Sequence, residues 1–235
     1  MWIKLCANTS LDDALLCVDS GADAIGFVFA PSVRRVTPGQ VATFLPELPD
    51  DITKIGIFLT QDPDEILFTL RSTALDGAQL HGQLDFSLIQ SLRAAFPPSF
   101  FLIQTLHWDL SADPARAANK LRDELRSIAR HEGIDAILLD SKTASASGGT
   151  GKTLDWERAH DILSEEADKL RVILAGGLTP DNVTQAIHTL RPWGVDVASG
   201  VEARPGRKDP GRAQTFVFMA RTAFAEIENF SMPGK

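Results

Sequence analysis

The sequence predicts an α/β fold, a single-domain (β/α)8 TIM barrel. Three observations carry this. Eight short apolar runs recur along the chain. Longer amphipathic segments lie between them. The length of 235 residues leaves about 28 for each strand–helix unit. Apolar runs separated by helices imply parallel strands joined by right-handed crossovers.

The runs cover residues 2–6, 24–29, 54–59, 77–80, 100–106, 136–139, 172–175 and 195–198. After the first, Thr9-Ser10 precedes Leu11-Asp12-Asp13-Ala14-Leu15-Leu16, which predicts a capped helix start. Asp62 before Pro63, and Thr179 before Pro180, each pair a capping residue with proline at the first helical position. Residues 112–130 alternate in charge and predict a long solvated helix. No close repeat, low-complexity tract or linker interrupts the pattern. Residues 1–228 are therefore read as one barrel domain and 229–235 as a frayed tail.

Hydrophobic residues make up 44% and charged residues 23%, which allows a large core. The net charge of -8 argues against a nucleic-acid partner, which would need a basic patch. Cys6 and Cys17 are the only cysteines, too few for a disulfide scaffold. No stretch approaches the roughly 18 apolar residues that span a membrane. The first residues run straight into a strand pattern, with no secretory leader. A cytoplasmic protein with no membrane partner is expected. His81, His107, His131, His160 and His188 have no ligand-like spacing, so no metal is expected. His81, at a strand end, is placed at the pocket, and the others on surfaces or helices. Phe27, Phe29 and Phe58 are read as packing residues.

Parallel barrels carry their chemistry at the C-terminal ends of the strands. Leu138-Leu139-Asp140 ends one apolar run on a carboxylate, and Cys6 ends the first run on a thiol. Gly176-Gly177, after the seventh run, lets backbone N–H groups approach a phosphate. Ser199-Gly200, after the eighth, opens a short extra helix whose N-terminus favours an anion. Barrels commonly hold phosphate between these two loops. Gly148-Gly149-Thr150-Gly151-Lys152-Thr153 invites a P-loop reading, but the first glycine of that motif would fall on Ala146. The loop is read instead as a lid over the substrate.

These motifs, in this order, resemble phosphoribosylanthranilate isomerase of tryptophan biosynthesis over nearly the whole chain. The resemblance rests on Lys4-Leu5-Cys6, on Gly21 to Phe29, on Ser32 to Arg35, and on Gln79-Leu80-His81-Gly82. It continues through Leu138-Leu139-Asp140, Gly148 to Lys152, Ala175-Gly176-Gly177-Leu178 and Asp196 to Glu202. It implies an Amadori rearrangement of a small phosphosugar–anthranilate substrate, with no cofactor. It also implies Asp140 as the acid that protonates the furanose oxygen and Cys6 as the base that takes the C2 proton. A free thiol ionises near pH 8.5, so its surroundings must help Cys6. Arg35, rather than Arg34, is expected to hold the anthranilate carboxylate by paired hydrogen bonds. Asp196 is expected near the reacting sugar in an auxiliary role. Monomer and homodimer are both left open.

The chain departs from the family pattern at three places. Ala7 stands where glycine is usual. If that position needs positive φ, alanine is strained and Cys6 displaced. Ala198 stands where a serine is more common, and the segment after the fifth run is longer. Two alternatives remain. The related aminoaldose isomerase of histidine biosynthesis would be expected to carry an aspartate where Cys6 stands. A non-catalytic phosphosugar-binding barrel would not call for both Cys6 and Asp140.

Overall fold

A computed structural model describes residues 1–142, 155–166 and 170–231. Eight parallel strands close a barrel in chain order. They are β1 (Trp2–Leu5), β2 (Ala24–Val28), β3 (Thr53–Phe58), β4 (Gly77–Leu80), β5 (Phe101–Asp109), β6 (Ala136–Lys142), β7 (Arg171–Leu174) and β8 (Gly194–Val197). Each overlaps one of the eight apolar runs. The seam closes where Trp2, Ile3, Lys4 and Leu5 pair with Gly194, Val195, Asp196 and Val197.

Helices α1 (Leu11–Asp19), α2 (Pro38–Phe44), α3 (Pro63–Thr73), α4 (Phe86–Ala95), α5 (Pro114–Ala129), α6 (Trp156–Glu166), α7 (Val183–Leu190) and α8 (Pro210–Ser231) surround the strands. Their starts follow local chemistry. Ser10, Thr37, Asp62, Asp85 and Asp113 each accept a backbone N–H of the first turn. A two-stranded hairpin, β9 (Glu202–Arg204) and β10 (Arg207–Lys208), leads into α8.

Several boundaries differ from expectation. α7 begins at Val183, not Pro180, because Asn182 folds the preceding turn. Its side chain accepts the Thr179 N–H at 2.8 Å and donates to the Gly177 carbonyl at 3.0 Å. α8 runs on to Ser231, past Asn229, and residues 232–235 lie outside the described residues. β5 and β6 continue beyond the expected ends, pairing His107, Trp108 and Asp109 with Asp140, Ser141 and Lys142. This extension takes up part of the long segment after the fifth run. The expected lid at 148–153 lies outside the described residues.

Strand side chains alternate between two environments. One set faces the helices and forms the large core, with Ile3, Leu5, Ile25 and Phe27 fully buried. Phe29 and Phe58 stack there at 5.3 Å, as the packing reading expected. The other set faces the barrel axis. Trp2, Ala24, Ile55, Ile103, Ala136, Leu138 and Ile173 fill the N-terminal half. The same alternation then places Lys4, Cys6, Gln79, Thr105, Asp140 and Asp196 inside, toward the C-terminal mouth. Among the described residues no helix is long and apolar enough to cross a membrane.

Candidate active site

A cavity of ≈ 310 Å³ opens at the C-terminal ends of the strands. Its wall takes Cys6 from β1, His81 after β4, His107 from β5, Asp140 from β6, Asp196 from β8, and Ser199 beyond it. A wider groove of ≈ 650 Å³ lies on the outer face of α5, away from these strand ends. Of the expected site residues, Cys6, His81, Asp140, Asp196 and Ser199 line this cavity, whereas Arg35, Gly176, Gly177 and Gly200 are not part of its wall.

Asp140 is held inside β6 rather than at its end, because the β5 partner strand continues beside it. Burial, with the Asp196 carboxylate nearby, pushes its carboxyl up to about 7. The Lys4 ammonium and the Ser141 backbone N–H oppose this and are outweighed. An acid with that affinity keeps its proton near neutral pH and can give it up. Gly176 makes this packing possible. A side chain there would start 2.8 Å from Asp140 Oδ1 and 2.4 Å from the Ser141 nitrogen, and its φ is +83°.

Cys6 is buried at the end of β1. Burial pushes its thiol up, and Asp196 adds to that. Lys4 and Lys208 act in the opposite direction, toward the thiolate, but burial outweighs them and the thiol stays above its ordinary value. Lys4 is fully buried and donates to Asp196 Oδ1 at 2.8 Å. Burial alone would lower its affinity for the proton. The adjacent Asp196 and Cys6 outweigh that and hold the ammonium above its ordinary value. Lys208, from β10, donates to the carbonyls of Cys6 and Ala198 and ties together the ends of β1 and β8. Gly26 leaves room for the thiol, since a side chain there would begin 2.8 Å from Cys6 Sγ.

Ala7 does adopt positive φ, at 64°. Cys6 still lines the cavity, so the expected displacement does not occur. Asn8 holds the turn. Its side chain donates to the carbonyls of Leu5 and Gly26, and its N–H donates to Gly26.

The structure sets Arg34, rather than Arg35, at the cavity wall. Arg35 is exposed and lines no part of the cavity. Arg34 does line it, and its Nε and Nη2 donate to Glu202 at 2.8 and 2.7 Å. The tight turn from Ser32 explains the difference. The Arg35 N–H returns to the Ser32 carbonyl and Ser32 Oγ accepts the Arg34 N–H. Sequence reading had no means of seeing Glu202, 168 residues away.

Ser199 begins the short 3-10 helix Ser199–Val201, as expected after the eighth run. Gly200 packs against the Leu178 carbonyl, which brings this loop onto the one that carries Gly176 and Gly177. His81 lies at the cavity as expected. His107 also lies there, in β5, instead of on a surface or a helix. The ligand atoms of His81, His107 and Asp140 lie within 4.8 Å of one another, so sequence spacing hid the one described group that could hold a metal. The signal was present in another form. His81, His107 and Asp140 each follow a leucine that ends one of three successive apolar runs.

Known proteins carry the same arrangement of elements. The family model for N-(5'phosphoribosyl)anthranilate (PRA) isomerase matches residues 3–218. The N-(5'-phosphoribosyl)anthranilate isomerase of Pelobacter propionicus is 39% identical over 95% of this chain and 97% of its own length. That of Magnetococcus marinus is 40% identical over 94% and 95%. The crystal structure of the Thermotoga maritima enzyme covers 94% of this chain and 99% of that one, at 34% identity and a TM-score of 0.79. Another structure of this isomerase, in complex with reduced 1-(o-carboxyphenylamino)-1-deoxyribulose 5-phosphate, matches with a TM-score of 0.75 at 32% identity. Likeness of this extent shows the family: the chain belongs to the N-(5'-phosphoribosyl)anthranilate isomerase family.

Proposed function

We propose that this chain converts N-(5-phosphoribosyl)anthranilate to 1-(2-carboxyphenylamino)-1-deoxyribulose 5-phosphate by general acid–base catalysis, with Asp140 as acid and Cys6 as base. The isomerase step of tryptophan biosynthesis is the activity of its family. The observation that carries the mechanism is the pairing of a proton-holding carboxyl and a thiol at one cavity.

Asp140 gives its proton to the furanose oxygen. The bond from that oxygen to C1 breaks, and the nitrogen lone pair closes a C1=N iminium. Cys6, as thiolate, takes the proton from C2. The electrons of that C–H bond form C1=C2, and the iminium electrons return to nitrogen. C1 of the resulting enol takes a proton from the Cys6 thiol while its hydroxyl gives one up, leaving a ketone at C2, and that hydroxyl proton restores Asp140. No oxidant or cofactor enters this balance.

In this reading the phosphate sits between Gly176-Gly177 and Ser199-Gly200, where two loops meet. Arg34 takes the anthranilate carboxylate. The Glu202 pair uses two of the five donors that a guanidinium carries. Asp196 serves through Lys4, whose charge it holds beside the thiol. The histidine-pathway alternative is set aside on Cys6, and the non-catalytic one on the pairing of Cys6 with Asp140. Every proposed group comes from one chain, so the chemistry suits a monomer or a homodimer. The acidic balance supports a small-molecule enzyme of the cytoplasm with no nucleic-acid partner. A turnover assay on phosphoribosylanthranilate generated in situ tests the reading. Formation of the ketone product is expected, and its absence with folded protein would refute it.

A further inference from the structure

We propose that His81, His107 and Asp140 form a binding site for a divalent transition-metal ion of the zinc type, and that the bound ion stops the isomerase reaction. The second half rests on the acid role of Asp140 proposed above. The first half stands on geometry alone.

The three residues come from consecutive strands and face the same cavity. His107 and Asp140 are register partners across β5 and β6, so they stand side by side at one level of the barrel. The His81 and His107 rings meet edge to face, with centroids 4.6 Å apart. One ligand atom from each of the three residues lies within 4.8 Å of the others. Zinc bonds of about 2.0–2.1 Å place tetrahedral ligand atoms roughly 3.3 Å apart. Closing the group therefore takes shifts of about an ångström, within reach of small imidazole rotations.

Two imidazoles and one carboxylate suit Zn²⁺, Co²⁺ and Ni²⁺ better than Mg²⁺ or Ca²⁺, which favour oxygen ligands. Three protein ligands beside an open cavity leave a coordination position for water or a small anion. A further contact supports the same reading. His107 Nε2 lies 3.1 Å from the His81 carbonyl oxygen. A backbone carbonyl behind the ring commonly orients metal-bound histidine in this way. The Lys4 ammonium nearby is matched by Asp196, so the pair brings no net charge against a cation.

An Asp140 carboxylate that ligates a cation has no proton to give the ring oxygen. The same carboxyl thus serves either the ion or the substrate. Binding of Co²⁺ or Zn²⁺ to the full chain tests this, by equilibrium dialysis and by the visible spectrum of bound Co²⁺. One ion per chain is expected, with a nitrogen–oxygen spectrum and no sulfur-to-cobalt charge-transfer band. His81→Ala, His107→Ala and Asp140→Asn should each weaken binding 10-fold or more, with circular dichroism unchanged. Unaltered affinity in the folded histidine variants would overturn the site. A strong sulfur-to-cobalt band would also overturn it, because it would assign the ion to a cysteine. Zn²⁺ should abolish turnover in the parent protein, and a chelator should restore it. If the ion binds but turnover persists, the inhibitory half is overturned. If the metal-free chain shows no turnover at all, the isomerase reading fails, and the dialysis result still decides the site.

Discussion

Lys4 and Asp196 are register partners across the seam that joins β8 to β1, and their side chains meet there at 2.8 Å. Closing the barrel therefore also places a buried ion pair against the Cys6 thiol. Lys4 has no exposed surface and Asp196 very little. Two charges taken from water in this way hold each other, and each is costly without the other.

Lys4→Met should destabilise the fold by about 3–5 kcal/mol, because it leaves the Asp196 carboxylate buried without its partner. Replacing Asp196 by leucine in the same chain should recover most of that loss. Urea denaturation of the single and double variants reads both values. An additive double variant would show that the pair is not coupled.

Asp140 gives stability a pH dependence with a definite sign. Its folded carboxyl holds a proton up to about 7, against an ordinary value of 3.8. Its favourable contribution is complete below about pH 4 and is lost as the pH rises through about 7. Asp140→Asn should remove this decline. The variant should gain on the parent between pH 4 and 7, by an amount on the order of 3–4 kcal/mol. Denaturation midpoints at four or five pH values would follow this. A constant difference would contradict the raised affinity.

Arg34→Ala should raise KM at least about 10-fold more than Arg35→Ala, since a charged hydrogen bond is worth about 1.5–3 kcal/mol. The larger effect belongs to Arg34 because it lines the cavity and Arg35 does not. Arg34→Ala also leaves the buried Glu202 carboxylate with only the longer Lys208 contact, at 3.9 Å, so the thermal midpoint should fall. Arg34→Lys should restore part of the midpoint and less of the KM. Equal KM values for the two alanine variants would remove Arg34 from its place.

Ala7→Gly should stabilise the protein by about 1 kcal/mol, because alanine in the left-handed region costs roughly 1–2 kcal/mol. The relevant φ is 64°. A lowered thermal midpoint would mean that the Asn8 bonds have already relieved the strain.

All eight strands were legible because period-two alternation and short apolar runs mark a barrel wall wherever it occurs. The same alternation placed Cys6, His81, Asp140 and Asp196 on one inward set. What the sequence hid depends on contacts between distant elements. Lys4 sits in a strand that reads as buried, and a lysine there was a signal of a partner. The partner, Asp196, lies 192 residues away. Arg34 and Arg35 are neighbours in a loop, and only the seat offered by Glu202 separates them. His107 read as a surface residue because the run around it was ended at Leu106. β6 carries β5 three residues further and turns that histidine into the mouth. Thr179-Pro180 had the composition of a helix start, but Asn182 spends its side chain on the glycine loop instead.

The central claim is that Asp140 and Cys6 move successive protons at one cavity. Turnover of phosphoribosylanthranilate by Asp140→Asn and Cys6→Ser tests it most directly, with circular dichroism and thermal midpoint taken on the same samples. Each variant should stay folded and lose roughly 100-fold or more in turnover, the scale of a general acid or base. Retained turnover in either folded variant would contradict the role of that residue.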